Sequence, residues 1–222
     1  MAKRQVVATE DNSPTLYHSG LDAHYHSLHG ARQESQHVFV KAGLHQFDYL
    51  KRVHLLEVGF GSGLNALLSL AAIRESDQQI YYHGLEKFPL KEEEWRAFRE
   101  GFSDKWERQK LIEFHQAPWE EKTAINERFT LHKSVIDLST AELNPAFYHL
   151  IYFDAFAPQA QPELWTEAIF KKMFDCLEED GLLVTYCVKG EVRRAMEAAG
   201  FEVEKIPGPP GKREISRAHK PI

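Results

Sequence analysis

The sequence predicts an α/β domain built on a mostly parallel sheet. From Val53 onward, short apolar runs alternate with segments of helical periodicity, and strand, helix, strand in repetition requires parallel strands joined by crossover helices. The run over 148–153, Tyr-His-Leu-Ile-Tyr-Phe, hardly alternates between apolar and polar, as a central strand covered on both faces should not. Late in the chain, Pro207-Gly-Pro-Pro-Gly211 separates two strand-like pieces over 201–206 and 213–217. A Pro/Gly cluster ends one strand and turns into the next, so an antiparallel hairpin is expected to close the sheet.

The first fifty residues differ in texture. They hold the turn signal Asp11-Asn-Ser-Pro14, four histidines between His18 and His29, and helical periodicity over 31–42. Residues 1–50 are expected to form a small extension packed on the main domain, residues 51–222. There the first strand covers 53–58 and is followed by a helix carrying Leu64, Leu67, Leu68 and Ala71 on one face. A second strand covers 80–85. The charge-rich stretch over 90–122 places Trp95, Phe98, Phe102 and Trp106 at near-helical spacing, which predicts one or two surface helices with an aromatic inner face. A third strand covers 129–131, and Ser139 with Glu142 reads as a capping box. After the central strand come a helix on Ile169, Phe170, Met173, Phe174 and Leu177, a strand over 182–187, and a helix on Val192, Ala195, Met196 and Ala199 with Gly200 as C-terminal cap.

Composition narrows the function classes. At 222 residues, with 43% hydrophobic and 27% charged residues, the chain is of globular type and disorder is disfavoured. Its net charge of −6 argues against a broadly basic nucleic-acid-coating surface. No apolar run is long enough to span a bilayer, and the start has two cations but no apolar leader core, so a cytoplasmic protein without membrane partners is expected. Cys176 and Cys187 match no metal or redox spacing and read as core residues.

The most informative segment is Glu57-Val-Gly59-Phe-Gly61-Ser-Gly63-Leu-Asn65, where an apolar strand ends in a glycine-rich turn that opens a helix. A dinucleotide loop needs its third glycine one residue later, where Leu64 stands, and a phosphate-binding P-loop needs a Gly-Lys-Ser/Thr ending that is absent. Acidic-x-Gly-x-Gly-x-Gly does fit the first motif of the Rossmann-like S-adenosylmethionine-dependent methyltransferase fold. Glu57, Gly59, Gly61, Gly63 and Asn65 are then candidate cofactor residues. Glu86 ends the second strand 23 residues past Gly63, where a carboxylate accepts from ribose hydroxyls, and Asp137 follows the third strand, where one accepts from the adenine amino group. Singly, each carboxylate also reads as a solvated charge, and the turn as structural.

The central strand ends in Asp154-Ala-Phe156-Ala-Pro158. Amino-methyltransferases of this fold carry an Asp/Asn-Pro-Pro-Tyr/Phe-like motif at this place. Asp154 is the candidate catalytic residue, accepting or orienting a proton of an amine that is mostly protonated at neutral pH, with an alkylamine pKa of ~10. Phe156 is the candidate stacking ring, and Pro158 stiffens the loop.

The chain resembles the methyltransferase component of the tRNA 5-methylaminomethyl-2-thiouridine biosynthesis enzymes, MnmC and its stand-alone form MnmD. The resemblance rests on Thr9-Glu-Asp-Asn-Ser-Pro-Thr-Leu-Tyr17, Tyr25-His-Ser-Leu-His-Gly30, Glu34-Ser-Gln-His-Val-Phe39, the glycine loop, Leu85-Glu-Lys-Phe-Pro-Leu90, Asp154-Ala-Phe-Ala-Pro158 with Pro162-Glu-Leu-Trp165, Val192-Arg-Arg194, Ala199-Gly-Phe201 and Gly211-Lys-Arg-Glu214. It implies methylation of the 5-aminomethyl group of a wobble (2-thio)uridine in tRNA with S-adenosylmethionine as donor. The fused enzymes add a flavin-dependent oxidase. With no second nucleotide-binding motif before Ile222, methyl transfer alone is expected, without FAD, the aminomethyl substrate coming from a separate oxidase or other upstream tRNA-modifying enzymes. The alternative is a methyl- or aminopropyl-transferase of the same fold acting on a small amine, and a non-catalytic binding module is a third reading.

From Lys189 on, eight Lys and Arg stand against five acids, a surplus of +3 that leaves −9 for the remainder. Arg193, Arg194, Lys212 and Arg213 are therefore candidate phosphate contacts. Tyr25 and His26 are expected to cover the substrate, with Tyr25, Phe156 or Trp165 stacking on a flipped base. His24, His26 and His29 have no carboxylate or cysteine at zinc-finger spacing, so no metal is expected there.

Overall fold

A computed structural model describes residues 3–222; Met1 and Ala2, the first residues of the segment read as lacking a leader, lie outside the described residues. The chain begins with a three-stranded antiparallel sheet of β1 (Arg4–Ala8), β2 (Pro14–His18) and β3 (Ala23–His24). The sequence reading did not anticipate it. Helix α1 (Ala31–Ser35) then runs directly into a π-helical stretch, Gln36–Lys41, which together fill the predicted helical span.

The remaining elements are β4 (Arg52–Val58), α2 (Leu64–Ala72), β5 (Gln79–Glu86), α3 (Glu92–Glu100), α4 (Lys105–Gln116), β6 (Lys122–Asn126), β7 (Phe129–Val135), β8 (Tyr148–Phe153), α5 (Glu167–Cys176), β9 (Leu177–Thr185), α6 (Gly190–Ala198), β10 (Glu202–Pro207) and β11 (Glu214–His219). Their strands form one sheet in the order β10-β11-β9-β8-β4-β5-β7-β6. The five strands from β9 to β7 are parallel, and β11 pairs antiparallel with β9 and β10, so the expected Rossmann-like sheet and closing hairpin are both present. Strand β6 is an antiparallel edge strand that the sequence reading missed.

Alternation along β4 assigns the two faces. Val53 and Leu55 look toward α2, α4 and the extension, whose Val38, Phe39, Leu44 and Phe47 are buried in the same core. Leu56 and Val58 look toward α5 and α6, against Phe170, Met173, Val192 and Met196. Fully burying such side chains stabilises by about 1.5–3 kcal/mol each, which is why the central strands read as continuous apolar runs. Helix ends follow local chemistry: Asp104 accepts from Glu107 N (2.9 Å) to start α4, and Gly200 at φ +108° terminates α6.

The expected capping box is absent. Ser139 and Glu142 do not form a capping box, because Asp137 Oδ1 takes both the Ser139 amide (2.9 Å) and its hydroxyl (2.7 Å) in a turn. Both cysteines are buried and free, as expected. Among the described residues no helix is long and apolar enough to cross a membrane.

Candidate active site

The parallel strands direct their carboxyl ends to one side of the sheet, and there a cavity of ≈ 490 Å³ opens. Its floor is the turn after β4. Gly59, Gly61 and Gly63 have φ of +90°, +48° and +77°, the left-handed region that costs side-chain-bearing residues about 1–3 kcal/mol. The Gly59 and Phe60 amides both donate to Leu85 O (3.0 Å each), pinning the turn to β5. A Cβ on Gly59 would lie 2.8 Å from the Asp154 carbonyl oxygen, and one on Gly61 would lie 3.0 Å from the Tyr25 ring. Gly59 and Gly61 line the cavity; Gly63 does not, and its part is to start α2.

Glu57 is almost fully buried below the turn. The Asn65 amide nitrogen on α2 donates to Glu57 Oε1 (2.8 Å) and to Asp154 Oδ2 (2.7 Å), joining the two carboxylates through one side chain. Burial, and then the negative charge of Asp154, push the Glu57 carboxyl well above the ordinary range. Burial likewise pushes Asp154 up to about 7, against the Asn65 hydrogen bond that favours its charged form. Glu57 Oε2 and Asn65 Oδ1 are buried without a partner. Such orphans cost about 1–3 kcal/mol each and mark places for a donor to bind.

At the end of β5, Glu86 accepts from the Gly61 amide (2.9 Å) and the Phe88 amide (2.8 Å). Asp137 pairs with Lys87 (2.7 Å), and Lys87 with the two Ser139 hydrogen bonds holds its carboxyl down at about 2. Both carboxylates line the cavity, as do Glu57, Asn65 and Asp154.

Residues of the extension, Arg4, His18, Tyr25 and His26 among them, also line the cavity. Tyr25 and Phe156 meet edge to face at 4.9 Å, and Tyr25, His26 and Phe156 all line the cavity. The His26 amide is held by Thr15 Oγ1 (3.1 Å), and burial holds its imidazole down at about 4. Trp165 is not a stacking ring: it is buried, and its indole N–H donates to Phe156 O (2.8 Å), while Gln161 Oε1 accepts from the Phe156 amide (3.1 Å).

Four predicted cations stay outside the cavity wall. Arg193 pairs with Glu197 (3.6 Å) and Lys212 with Glu34, whereas Arg194 and Arg213 are exposed and make no ion pair among the described residues. Lys189, Lys205 and Arg217 pair with Glu191, Glu214 and Glu204, so much of the tail's positive charge is internally compensated. The three close histidines diverge: His24 packs on Tyr17, His26 meets Thr15, and His29 meets Glu10. The one His/Glu triplet whose ligand atoms come together among the described residues, His54, His149 and Glu178, lies at the amino end of β4 and β8 and at β9. There the His54 amide occupies His149 Nδ1 (3.0 Å), so that ring's proton sits on the nitrogen facing Glu178.

Sequence reasoning missed Arg4, Lys87, Phe88 and Gln161 as wall residues. Arg4 reaches in from β1 and is held by Glu94 Oε2 (3.0 Å) and Phe88 O (2.8 Å). No local signal marks it. Lys87 and Phe88 stand directly after Glu86, and that adjacency was a usable signal.

A parallel sheet with a glycine turn and carboxylates at successive strand ends defines an enzyme that binds an adenosine-containing cofactor. The family model of S-adenosyl-L-methionine-dependent methyltransferases matches residues 95–221, and the chain belongs to this family. The bifunctional tRNA 5-methylaminomethyl-2-thiouridine biosynthesis protein MnmC of Azoarcus sp. (strain BH72) is 31% identical over 96% of this chain and 36% of its own length. That of Campylobacter hominis is 29% identical over 92% of this chain and 31% of its own. The chain thus spans about a third of these relatives. The crystal structure of MnmC2 from Aquifex aeolicus matches with a TM-score of 0.81 and 27% identity, over 98% of this chain and 70% of that one. Spermidine synthase from Thermotoga maritima shares the fold, with a TM-score of 0.59 and 13% identity over 99% of this chain and 69% of that one.

Proposed function

We propose that the protein methylates the 5-aminomethyl group of a (2-thio)uridine at the tRNA wobble position, giving 5-methylaminomethyl-(2-thio)uridine. The observation that carries the reading is Asp154, a carboxyl pushed up to about 7 by burial beside the glycine turn, in the cavity that Tyr25 and Phe156 also line. The names of the MnmC relatives support the substrate. The small-amine alternative is supported only by a shared fold.

S-adenosylmethionine, when bound, supplies a methyl group already activated on a sulfonium, a transfer that calls for neither metal nor flavin. The cavity fits that donor: the glycine turn, held close against the Asp154 carbonyl and the Tyr25 ring, lines it through Gly59 and Gly61, and Glu57 Oε2 is a buried acceptor without a partner. Glu86 and Asp137 offer oxygens toward a sugar and a base, and Glu57 with Asn65 toward an amino-acid head. Asp154 accepts a hydrogen bond from the substrate amine and takes its proton, leaving the nitrogen lone pair aligned; such a carboxylate works best with a pKa near the working pH. Phe156 and Tyr25 hold the base, and Tyr25 with His26 keeps water from the amine. Arg194 and Arg213 are the tail cations left for phosphate. The setting of the reaction is the cytoplasm, and a separate oxidase or upstream enzyme provides the aminomethyl group.

The test is methylation of tRNA bearing aminomethyl-uridine by the purified protein, read by nucleoside mass analysis. A gain of one methyl on that nucleoside is expected. No gain, or equal transfer to free polyamines, refutes the reading.

A further inference from the structure

The Gly211-Lys-Arg-Glu214 turn between β10 and β11 carries a lysine that the sequence offers to tRNA phosphate, yet Lys212 points inward. Its ammonium pairs with Glu34 of α1, whose side chain is only 8% exposed, and lies 4.3 Å from the centre of the Tyr186 ring. Tyr186 in turn donates its hydroxyl to the carbonyl of Ala155 (2.8 Å), the residue after Asp154. Glu34 Oε2 accepts from the Ser27 amide (2.7 Å), just past Tyr25 and His26. Gly211, at φ +86°, packs so closely on His29 that a Cβ would lie 2.8 Å from its ring. The turn therefore grips the cavity roof through Glu34 and through His29, and the strand end of Asp154 through Tyr186.

We propose that Glu34 and Lys212 form an internal clasp: they are positioning residues that hold the Tyr25-His26 roof and the Asp154 strand end in one geometry, and neither contacts tRNA. The kinetic part of this inference rests on the methyl-transfer reading above. A buried carboxylate needs a partner, and deleting one member of such a pair leaves the other charge uncompensated. The pair also contributes to the field at Asp154, after burial and the Asn65 hydrogen bond. That carboxyl is faced by Glu57 of β4 through Asn65, Tyr82 of β5, Tyr186 beyond β9, Glu34 of α1 and Lys212 of the turn, and His26 lines the same cavity. Glu34 raises the Asp154 pKa and Lys212 lowers it, so the two members of the pair act on it in opposite directions.

The experiment compares Lys212→Met, Glu34→Gln and the exchanged pair E34K/K212E. Each single variant is expected to lose about tenfold in kcat with the KM for tRNA little changed, and the exchanged pair to recover most of the loss. The acid limb of the kcat profile should move to higher pH in Lys212→Met and to lower pH in Glu34→Gln, opposite displacements that simple structural damage does not produce. Hydrogen exchange reads the roof without any substrate: the Tyr25 amide, bonded to Leu16 O (2.8 Å), and the His26 amide should exchange faster in Lys212→Met. A raised KM for tRNA with unchanged kcat and a flatter salt dependence would make Lys212 a phosphate contact and overturn the clasp. An exchanged pair no better than either single variant, or unchanged roof exchange, overturns it too. If the wild-type protein leaves aminomethyl-uridine tRNA unmethylated, the functional reading fails while the exchange measurement still decides the clasp.

Discussion

Two aspartates border the same cavity in opposite states. Asp154 is half-buried in the cavity, shares one amide with Glu57, and is pushed up to about 7; Asp137 pairs with Lys87 and two Ser139 donors and is held down at about 2. Both follow a parallel strand, so position in the fold does not separate them. Burial against ion pairing does. A carboxyl near neutrality can exchange a proton with an amine, whereas one charged at every physiological pH can only accept a hydrogen bond.

The largest expected effect tests the half-buried member. Asp154→Ala should lower kcat by about 10²–10⁴-fold, the usual span for a lost general base, with S-adenosylmethionine affinity retained by calorimetry; normal turnover would erase the distinction. Gly59→Leu should abolish both turnover and cofactor binding, since its Cβ meets the Asp154 carbonyl.

Next comes pH. The kcat profile should fall on the acid side of about 7 in the wild-type protein. Stability gives an independent reading. Because the folded-state pKa of Asp154 lies above its unfolded value, the folded protein binds more protons between about 4 and 7, and this group lowers stability as pH rises through that window. Asp154→Asn should therefore raise Tm at pH 8 relative to wild type and not at pH 4. Asp137 has the opposite sign: its contribution is present above its unfolded value and disappears as pH falls toward about 2, so Asp137→Asn should leave Tm unchanged or slightly lower at pH 8. The smallest effect is a few-fold weakening of cofactor affinity in Asp137→Asn, since exposed ion pairs contribute about 0–1 kcal/mol. A loss of a hundredfold or more would mean the rim carboxylate carries more than its exposure implies, since about 2.7 kcal/mol exceeds an exposed pair's contribution.

The sheet and its glycine turn were legible in the sequence because they depend on local patterns: apolar strands of fixed period and glycines at adjacent positive φ. The converging carboxylates Glu57, Glu86, Asp137 and Asp154 were legible because parallel strands bring their carboxyl ends together. What escaped were partners. Strands β1 to β3 are short and carry little apolar alternation, so their pairing shows only in three dimensions. Ser139 looks like a helix cap until Asp137 is seen to use its hydroxyl. Trp165 and Lys212 look like surface recognition groups until Phe156 and Glu34 are found as their partners, one across a loop and the other at the opposite end of the chain.

The contact between Gly59 and the Asp154 carbonyl has a consequence for redesign. On the proposed function, donor preference and acceptor preference would be mechanically geared: a side chain added to the turn to admit a bulkier sulfonium analogue meets the Asp154 carbonyl and would displace the station of the amine as well. Directed variation of donor scope should begin at Lys87, which lines the cavity and pairs with Asp137 rather than with the strand that carries Asp154.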